Sequence, residues 1–467
     1  MLTVTDKVLT KSQFIQIIKG EDKAVIWHSL FGNPKIVSKE TVDIIGKFFR
    51  PRQLCSVLRQ YDYEENNEKA IQDLIANYYL IPKDFDERKF LAKHMKEREK
   101  TIVDGSLINY LELIMSEACN FRCSYCIHFN NLEMSDRIKN PKKFMNFEVA
   151  KEAVDKYLMI LRKRGKREVE INFGGGEPLL AWTVIKQVLE YCQLNHGKEF
   201  DFRFSINTNA SMITPKIAGK IKEYHVEIAS SLDGLREGNN LVRLAKSGGG
   251  TFEAILRGFE NLAKQGYPME GIAVTVNDQN FRFIDEKIID WANEQGMKEV
   301  RIDIDIIGII QTPIEDIVAK LMRIRRYAMC YGIEIAGFWS RPIENLNDSA
   351  LDSHVAFCGA VRGNSICVNP LGDIYGCGYS VTQLGTIFQI ESFCNPESRY
   401  HHFVREHLTG MMKMCKGCMI ESQCGGGCEI TQEFARATNT VKIKRMCDFY
   451  RQMTHELLVE QLQETDT

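Results

Sequence analysis

A chain of 467 residues, 44% of them hydrophobic, is long enough for about three domains of ordinary size. Its 60 basic and 62 acidic residues leave a formal net charge of -2, which excludes a global field that gathers nucleic acid or a membrane surface. The N-terminus carries charge from Asp6 onward and the chain has no run of about 18 apolar residues, so its 15 cysteines point to metal or redox chemistry in a soluble, cytoplasmic protein.

Residues 1–95 read as a first, α+β unit. The β-prone run AVIWHSLFGNPKIV contains Gly32-Asn33-Pro34, turn chemistry between two short strands. Ser38 is placed to cap ETVDIIGKFF, and RQLCSVLRQ and NNEKAIQDLIANYYL carry two more apolar helical faces before Pro82. The charged stretch 84–104 has few strong apolar anchors and reads as a helical, solvated linker, with the boundary at residues 96–105.

From 106 to 335 strand-like and helix-like segments alternate. INYLELIM, EVEINFGGG, FRFSINTN, VEIASSLDG, GIAVTVN and VRIDIDII are the strands, and helical patterns such as NFEVAKEAVDKYLMILRKR follow them. Six such units predict an α/β fold, a partial (β/α)6 barrel of the TIM type. In residues 336–460 the periodic pattern fades, and nine cysteines fall between Cys358 and Cys447 with glycines among them. A segment so poor in apolar pattern needs metal to fold.

The most informative peptide is SEACNFRCSYC, which sets Cys119, Cys123 and Cys126 as C-x3-C-x2-C directly after a strand. Three such thiolates hold three irons of a cubane and leave the fourth iron open to chelate S-adenosylmethionine and pass it an electron. The competing reading is a zinc site completed by His128. After the next strand comes INFGGGEPLL, whose Gly174, Gly175, Gly176, Glu177 and Pro178 form a turn that lets a polar ligand approach the backbone.

Together the C-x3-C-x2-C loop, the GGEP turn and the strand FSINTN resemble the radical S-adenosylmethionine superfamily across residues 106–335. The resemblance implies that the glycine turn and Glu177 contact the methionyl amino group. It further implies that Tyr125 seats the adenine, that Ser205 and Asn207 contact the ribose or methionyl end, that the Ser231-Asp233-Gly234 turn lines the cavity, and that Arg243 neutralises the carboxylate.

Gly372 and Cys377 match G-x4-C, and Cys415, Cys418, Cys424 and Cys428 match C-x2-C-x5-C-x3-C, followed by Cys447. This order, preceded by Cys358, resembles the cysteine-rich SPASM domain with its two auxiliary [4Fe-4S] clusters. The resemblance assigns Cys415, Cys418, Cys424 and Cys447 to one cluster, and Cys358, Cys377 and Cys428 to the other. Cys367 would be the fourth ligand of the latter; since its spacing departs from the pattern, an open iron able to take a substrate thiolate is the alternative. Two zinc knuckles are the competing reading. Cys55, Cys192 and Cys330 sit in apolar helical contexts and read as core residues, and Cys394 fits no pattern.

The N-terminal unit resembles the PqqD-like, winged-helix-like peptide-recognition element, which takes an extended leader onto a sheet edge. A winged-helix DNA reader has a similar outline, yet the helix expected from Asn66 to Leu80 carries Glu68 and Asp73 and little base. The combined resemblance is to peptide maturases of the thioether-forming (sactipeptide and ranthipeptide) kind. It implies an oxidoreductase with three [4Fe-4S] clusters and S-adenosylmethionine, acting on a ribosomally made precursor peptide and served by an electron donor such as flavodoxin or ferredoxin. Carbon–carbon or carbon–oxygen crosslinking and formylglycine-type sulfatase maturation are alternatives within the same chemistry. A zinc-dependent winged-helix regulator is the non-enzymatic one.

Overall fold

The computed structural model describes residues 7–59, 65–103, 105, 107–130, 143–305, 311–352, 356–438 and 440–464. Two strands unforeseen in the sequence, β1 (Val8–Lys11) and β2 (Ile15–Lys19), precede the expected hairpin of β3 (Lys23–His28) and β4 (Gly32–Ser38). β2, β3 and β4 form one antiparallel sheet. The hairpin reverses upstream of the expected turn, at residues 29–31, and Gly32 and Asn33 open β4 with φ of 85° and 56°. Gly32 is also a close approach, because a Cβ there would lie 2.7 Å from the Asp348 carbonyl oxygen.

Three helices follow as expected, at Lys39–Lys47, Leu54–Leu58 and Glu65–Ala76, the first capped by the Ser38 side chain accepting from the Thr41 amide. The short strands β5 (Arg52–Gln53) and β6 (Leu80–Pro82) flank β1 in a second sheet. Leu9, Ile26, Ile45, Phe48, Val57 and Leu74 close a core between the two sheets and the helices.

The charged stretch is a helix, Glu87–Val103, solvated on one face, where Lys89, Lys93, Lys96, Glu97 and Lys100 are exposed, and packed on the other. Leu91 and Met95 are buried, and Arg88 makes a bidentate pair with Glu421 at 2.7 and 2.9 Å. Glu99 reaches Arg405 at 3.3 Å. The helix is a strut between the N-terminal unit and the C-terminal cysteine region, and its Glu87, Arg88 and Glu99 are inward ties that composition alone could not distinguish from the solvated face.

All six strands expected in the middle of the chain form, in parallel. β7 (Tyr110–Ser116), β8 (Glu168–Gly175), β9 (Asp201–Thr208) and β10 (Glu227–Ser230) run side by side, and a bridge between Ser231 and Ala273 carries the order on to β11 (Gly271–Val276) and β12 (Glu299–Ile304). A short β13 (Glu334–Ala336) extends β12. This is an α/β fold with partial barrel-like sheets. Leu111, Leu113, Val169, Ile171, Phe204 and Ile206 turn outward into the helical core, because strand residues alternate faces. The opposite face therefore carries Glu112, Asn172 and Ser205 in register across β7, β8 and β9. A barrel normally fills this interior with branched apolar side chains, so a polar row here marks a lumen for a ligand.

The C-terminal region is more regular than its sequence suggested. β14 (Ser365–Val368) pairs in parallel with β7, and β15 (Asp373–Tyr375) and β16 (Gly385–Thr386) extend the same sheet to seven strands. A 25-residue helix, Thr440–Glu464, lays Leu458 and Leu462 against Val25 and Trp27 of β3, and Trp27 donates to the Met419 carbonyl at 2.8 Å. No helix among the described residues is long and apolar enough to cross a membrane.

At the strut, His28 Nδ1 accepts from the Leu30 and Phe31 amides at 3.2 Å while Nε2 faces Glu87 at 3.0 Å, which fixes the neutral Nε2–H tautomer. Burial lowers the His28 pKa from its ordinary 6.5, more than Glu87 raises it. Below that ordinary value the unfolded chain takes up a proton that the folded one refuses, so stability is full above it and is lost as pH falls through it. The urea midpoint should therefore drop between about pH 7.5 and about pH 5.5. Glu87→Ala, which strands buried donors of Ser12 and His28, should cost about 2–3 kcal/mol at neutral pH.

Candidate functional site

The loop after β7 is pinned before it reaches its cysteines. Ser116 Oγ donates to the Ala118 carbonyl at 2.9 Å, Arg122 N donates to Leu244 O at 2.7 Å, and Ser124 N donates to Val242 O at 2.9 Å. Phe121, buried, anchors the turn, and its amide points at Cys119 Sγ at 3.4 Å. Cys119, Cys123 and Cys126 converge closely enough for each charge to act on its neighbours. Burial, with those neighbours adding, pushes the Cys119 thiol up to about 12 and Cys123 up to about 11. Thiols so placed ionise when a cation holds them, which fits an iron–sulfur cluster.

The glycine turn closes on this loop. The Gly176 amide donates to Ser116 O at 2.7 Å and the Glu177 amide to Ala118 O at 2.9 Å. Gly175 adopts φ 116°, and a Cβ on Gly176 would lie 2.5 Å from Ala118 O, so side chains are excluded from both positions. Pro178 starts a one-turn helix, Pro178–Ala181. Glu177 departs from its expected role. Its carboxylate is fully buried and accepts from Leu179 N at 3.0 Å, Thr208 Oγ1 at 2.6 Å and Asn209 N at 2.8 Å. Burial pushes this carboxyl above its usual range against the pull of the three donors. Glu177 is thus a brace between the turn and the end of β9, and what the turn offers a ligand is backbone.

Tyr125, Asp233 and Arg243 are likewise brought together, largely to bind one another. The Tyr125 phenol donates to Asp233 Oδ2, Arg243 Nε donates to the same oxygen at 2.8 Å, and the Thr275 amide donates to Asp233 Oδ1 at 2.8 Å. The guanidinium lies over the Tyr125 ring, 5.8 Å from its centroid. Arg243, expected to neutralise a ligand carboxylate, already pairs with Asp233, and the trio ties the cysteine loop to the end of β10. Asn207 is exposed to the lumen, Ser205 donates to Asn172 Oδ1 at 2.9 Å, and Ser231 sits at the bridge to β11 beside Gly234. Asn172 Nδ2 is buried and makes no hydrogen bond in the protein, a donor left for a ligand in the lumen.

The C-terminal cysteines form two groups. Cys415, Cys418, Cys424 and Cys447 act on one another, as do Cys358, Cys377 and Cys428. Gly425, Gly426 and Gly427 take φ of 55°, 89° and 77°, which turns the Gly426 and Gly427 amides onto Cys415 and Cys424. Burial pushes Cys415 and Cys428 up to about 12. Cys367 is placed otherwise than expected: it is wholly buried in β14 and packs with Ile114 and Tyr375. Gly372, at φ 85°, closes the turn between β14 and β15. Cys192 is core as expected and Cys55 half-buried, but Cys330 is exposed; the Cys394 side chain lies outside the described residues. Among the described residues no group of three or more Cys, His, Asp or Glu is placed to hold a single metal ion.

Several residues escaped the sequence reading. Asn209 and Asn120 bond each other at 2.8 Å beside Cys119, and Asn172 and Glu112 face the lumen. The one available signal was Glu112, a lone charge in the apolar strand LELIM.

The Radical SAM superfamily model matches residues 113–307. The radical SAM cyclopropyl synthase TigE of Paramaledivibacter caminithermalis is 24% identical, over 97% of each chain. An uncharacterized protein of Methanocaldococcus jannaschii is 31% identical over 59% of this chain and 86% of its own. Among solved structures, native anSMEcpe with bound AdoMet and a peptide superposes with a TM-score of 0.58 at 18% identity, covering 75% of this chain and 99% of that one. Streptococcus suis SuiB bound to precursor peptide SuiA gives 0.50 at 16% identity, covering 91% and 97%.

Removing the brace tests the site's construction. Glu177→Ala leaves three buried donors unpaired and should cost about 2–5 kcal/mol, read as a fall in Tm, with loss of iron from the Cys119 loop.

Proposed function

Because the chain belongs to the radical S-adenosylmethionine superfamily, we propose that it is a peptide-modifying oxidoreductase that closes a new bond within a ribosomally made precursor, using three [4Fe-4S] clusters. The observation that carries this reading is the grouping of the cysteines into three sets whose members' charges act on one another. Superfamily members bind a [4Fe-4S] cluster and S-adenosylmethionine, which together supply a hydrogen-abstracting radical.

Cys119, Cys123 and Cys126 hold that cluster. The backbone of Gly174, Gly175 and Gly176, with Asn172, Ser205 and Asn207, receives S-adenosylmethionine, and the Tyr125 ring supports the adenine. Cys415, Cys418, Cys424 and Cys447 hold one auxiliary cluster of a SPASM domain. Cys358, Cys377 and Cys428 hold the other, which keeps an iron without a cysteine ligand. Auxiliary clusters suit a reaction that removes two hydrogens, since one abstraction leaves a second electron to be accepted. The N-terminal unit takes the leader peptide by adding a strand to the β2–β4 sheet. The likeness to SuiB, solved with its precursor peptide, supports that role, whereas anSMEcpe leaves a quarter of this chain unmatched. A small flavodoxin or ferredoxin supplies electrons in the cytoplasm.

The sequence favours a thioether, yet the relative similar over 97% of both chains is a cyclopropyl synthase, which favours a carbon–carbon bond. Mass spectrometry of the precursor after anaerobic turnover and thiol alkylation decides between them. Loss of two hydrogens with every thiol reactive is the expected result, and one fewer alkylated thiol makes the bond a thioether. An unmodified peptide defeats the reading. Cys123→Ala should abolish 5′-deoxyadenosine formation. Cys377→Ala and Cys424→Ala should retain it while losing crosslinked peptide, as quantified by chromatography.

A further inference from the structure

Two glycines, Gly174 near the end of β8 and Gly378 beside Cys377, meet the same carboxylate. Glu112 lies on the lumen face of β7, in register with Asn172 on β8. A Cβ on Gly174, in the turn at the S-adenosylmethionine site, would collide with Glu112 Oε1. A Cβ on Gly378, next to Cys377, would lie 3.0 Å from the same oxygen, and the Gly378 amide donates to Glu112 Oε2 at 3.3 Å. The next amide in that loop, of Tyr379, is directed at the Cys377 sulfur. The Tyr379 ring, 44% exposed, stands 5.3 Å from the ring of His128, two residues beyond Cys126. Glu112 therefore stands between the glycine turn and the Cys377 loop.

We propose that Glu112 is a positioning residue that seats the radical-site glycine turn and the Cys377 loop on one side chain, fixing their spacing and making the neighbouring auxiliary cluster harder to reduce. The proposal rests on the reading that Cys358, Cys377 and Cys428 hold a cluster. A fixed negative charge beside a cluster opposes the arrival of an electron, and a charge-assisted bond to the loop holds the cluster's ligand in place.

The test is a redox titration of full-length, anaerobically reconstituted protein followed by electron paramagnetic resonance. Glu112→Gln keeps the side chain's shape and removes its charge. The expected result is a rise in the midpoint of one auxiliary signal, with that of the S-adenosylmethionine-sensitive signal unchanged. Glu170→Gln, which removes a lumen carboxylate facing Tyr110 instead, should move neither. Gly378→Ala keeps the charge but displaces the carboxylate from the loop, and should alter the g-values of the same auxiliary signal. If Glu112→Gln fails to hold clusters, Gly378→Ala decides. An auxiliary midpoint unmoved in a fully loaded Glu112→Gln, or g-values unmoved in Gly378→Ala, overturns the proposal. Wild-type protein with iron for a single cluster overturns the reading beneath it.

Discussion

A thiol buried away from water resists ionisation, and the cysteine sets of this chain are assembled from such thiols. Burial holds Cys119, Cys123, Cys415 and Cys428 at about 11 or 12, where an isolated thiol is protonated at neutral pH and a poor metal ligand. The surroundings are arranged to favour the charged form once a metal centre is there. Amides of Phe121, Gly426, Gly427 and Tyr379 point at sulfurs, and Arg451 lies 3.8 Å from Cys418 Sγ. A cluster bound there would hold such a region as much as its apolar contacts do, and would couple its folding to loading.

The sheet sets where the sites stand relative to one another. β14 pairs with β7, the strand that delivers Cys119, so the Cys377 loop and the Cys119 loop belong to one hydrogen-bonded surface. The strut at Glu87–Val103 and the helix at Thr440–Glu464 then tie the N-terminal sheet to that assembly through Arg88–Glu421 and Trp27–Met419. The β2–β4 sheet is thereby mechanically continuous with the cysteine-rich half.

Much of this was legible in the sequence, for reasons that differ by level. The six barrel strands were readable because parallel strands covered by helices leave long apolar runs, and the cysteine groups because their spacings are chemically restrictive. The direction a polar side chain takes was not readable. Glu177 belongs to a recognisable motif, yet whether it faces a ligand or the Thr208–Asn209 turn depends on how closely β9 approaches. Arg243 and Tyr125 were found as residues but not as partners of Asp233, since their separations of 10 and 108 positions in the chain conceal the pairing. The strut was misread because Glu87, Arg88 and Glu99 are charged, and charge alone does not distinguish an inward tie from a solvated face. Cys367 shares the cysteine-rich stretch with true neighbours of Cys377, but strand alternation turns it towards Ile114.

The lumen gives a deeper reason for these failures. Sequence patterns report what is buried against the core, and here the outward face of each barrel strand supplies that signal in full. The inward face carries Glu112, Asn172, Ser205 and Asn207, residues that look like interruptions of an apolar pattern until register aligns them across neighbouring strands. Chemistry in this fold resides where the hydrophobic pattern is broken on one face only. A polar residue at alternate positions of an otherwise apolar parallel strand is therefore better read as a lumen residue than as noise. On β7 the pleat turns Glu112 inward between Leu111 and Leu113, which both turn out.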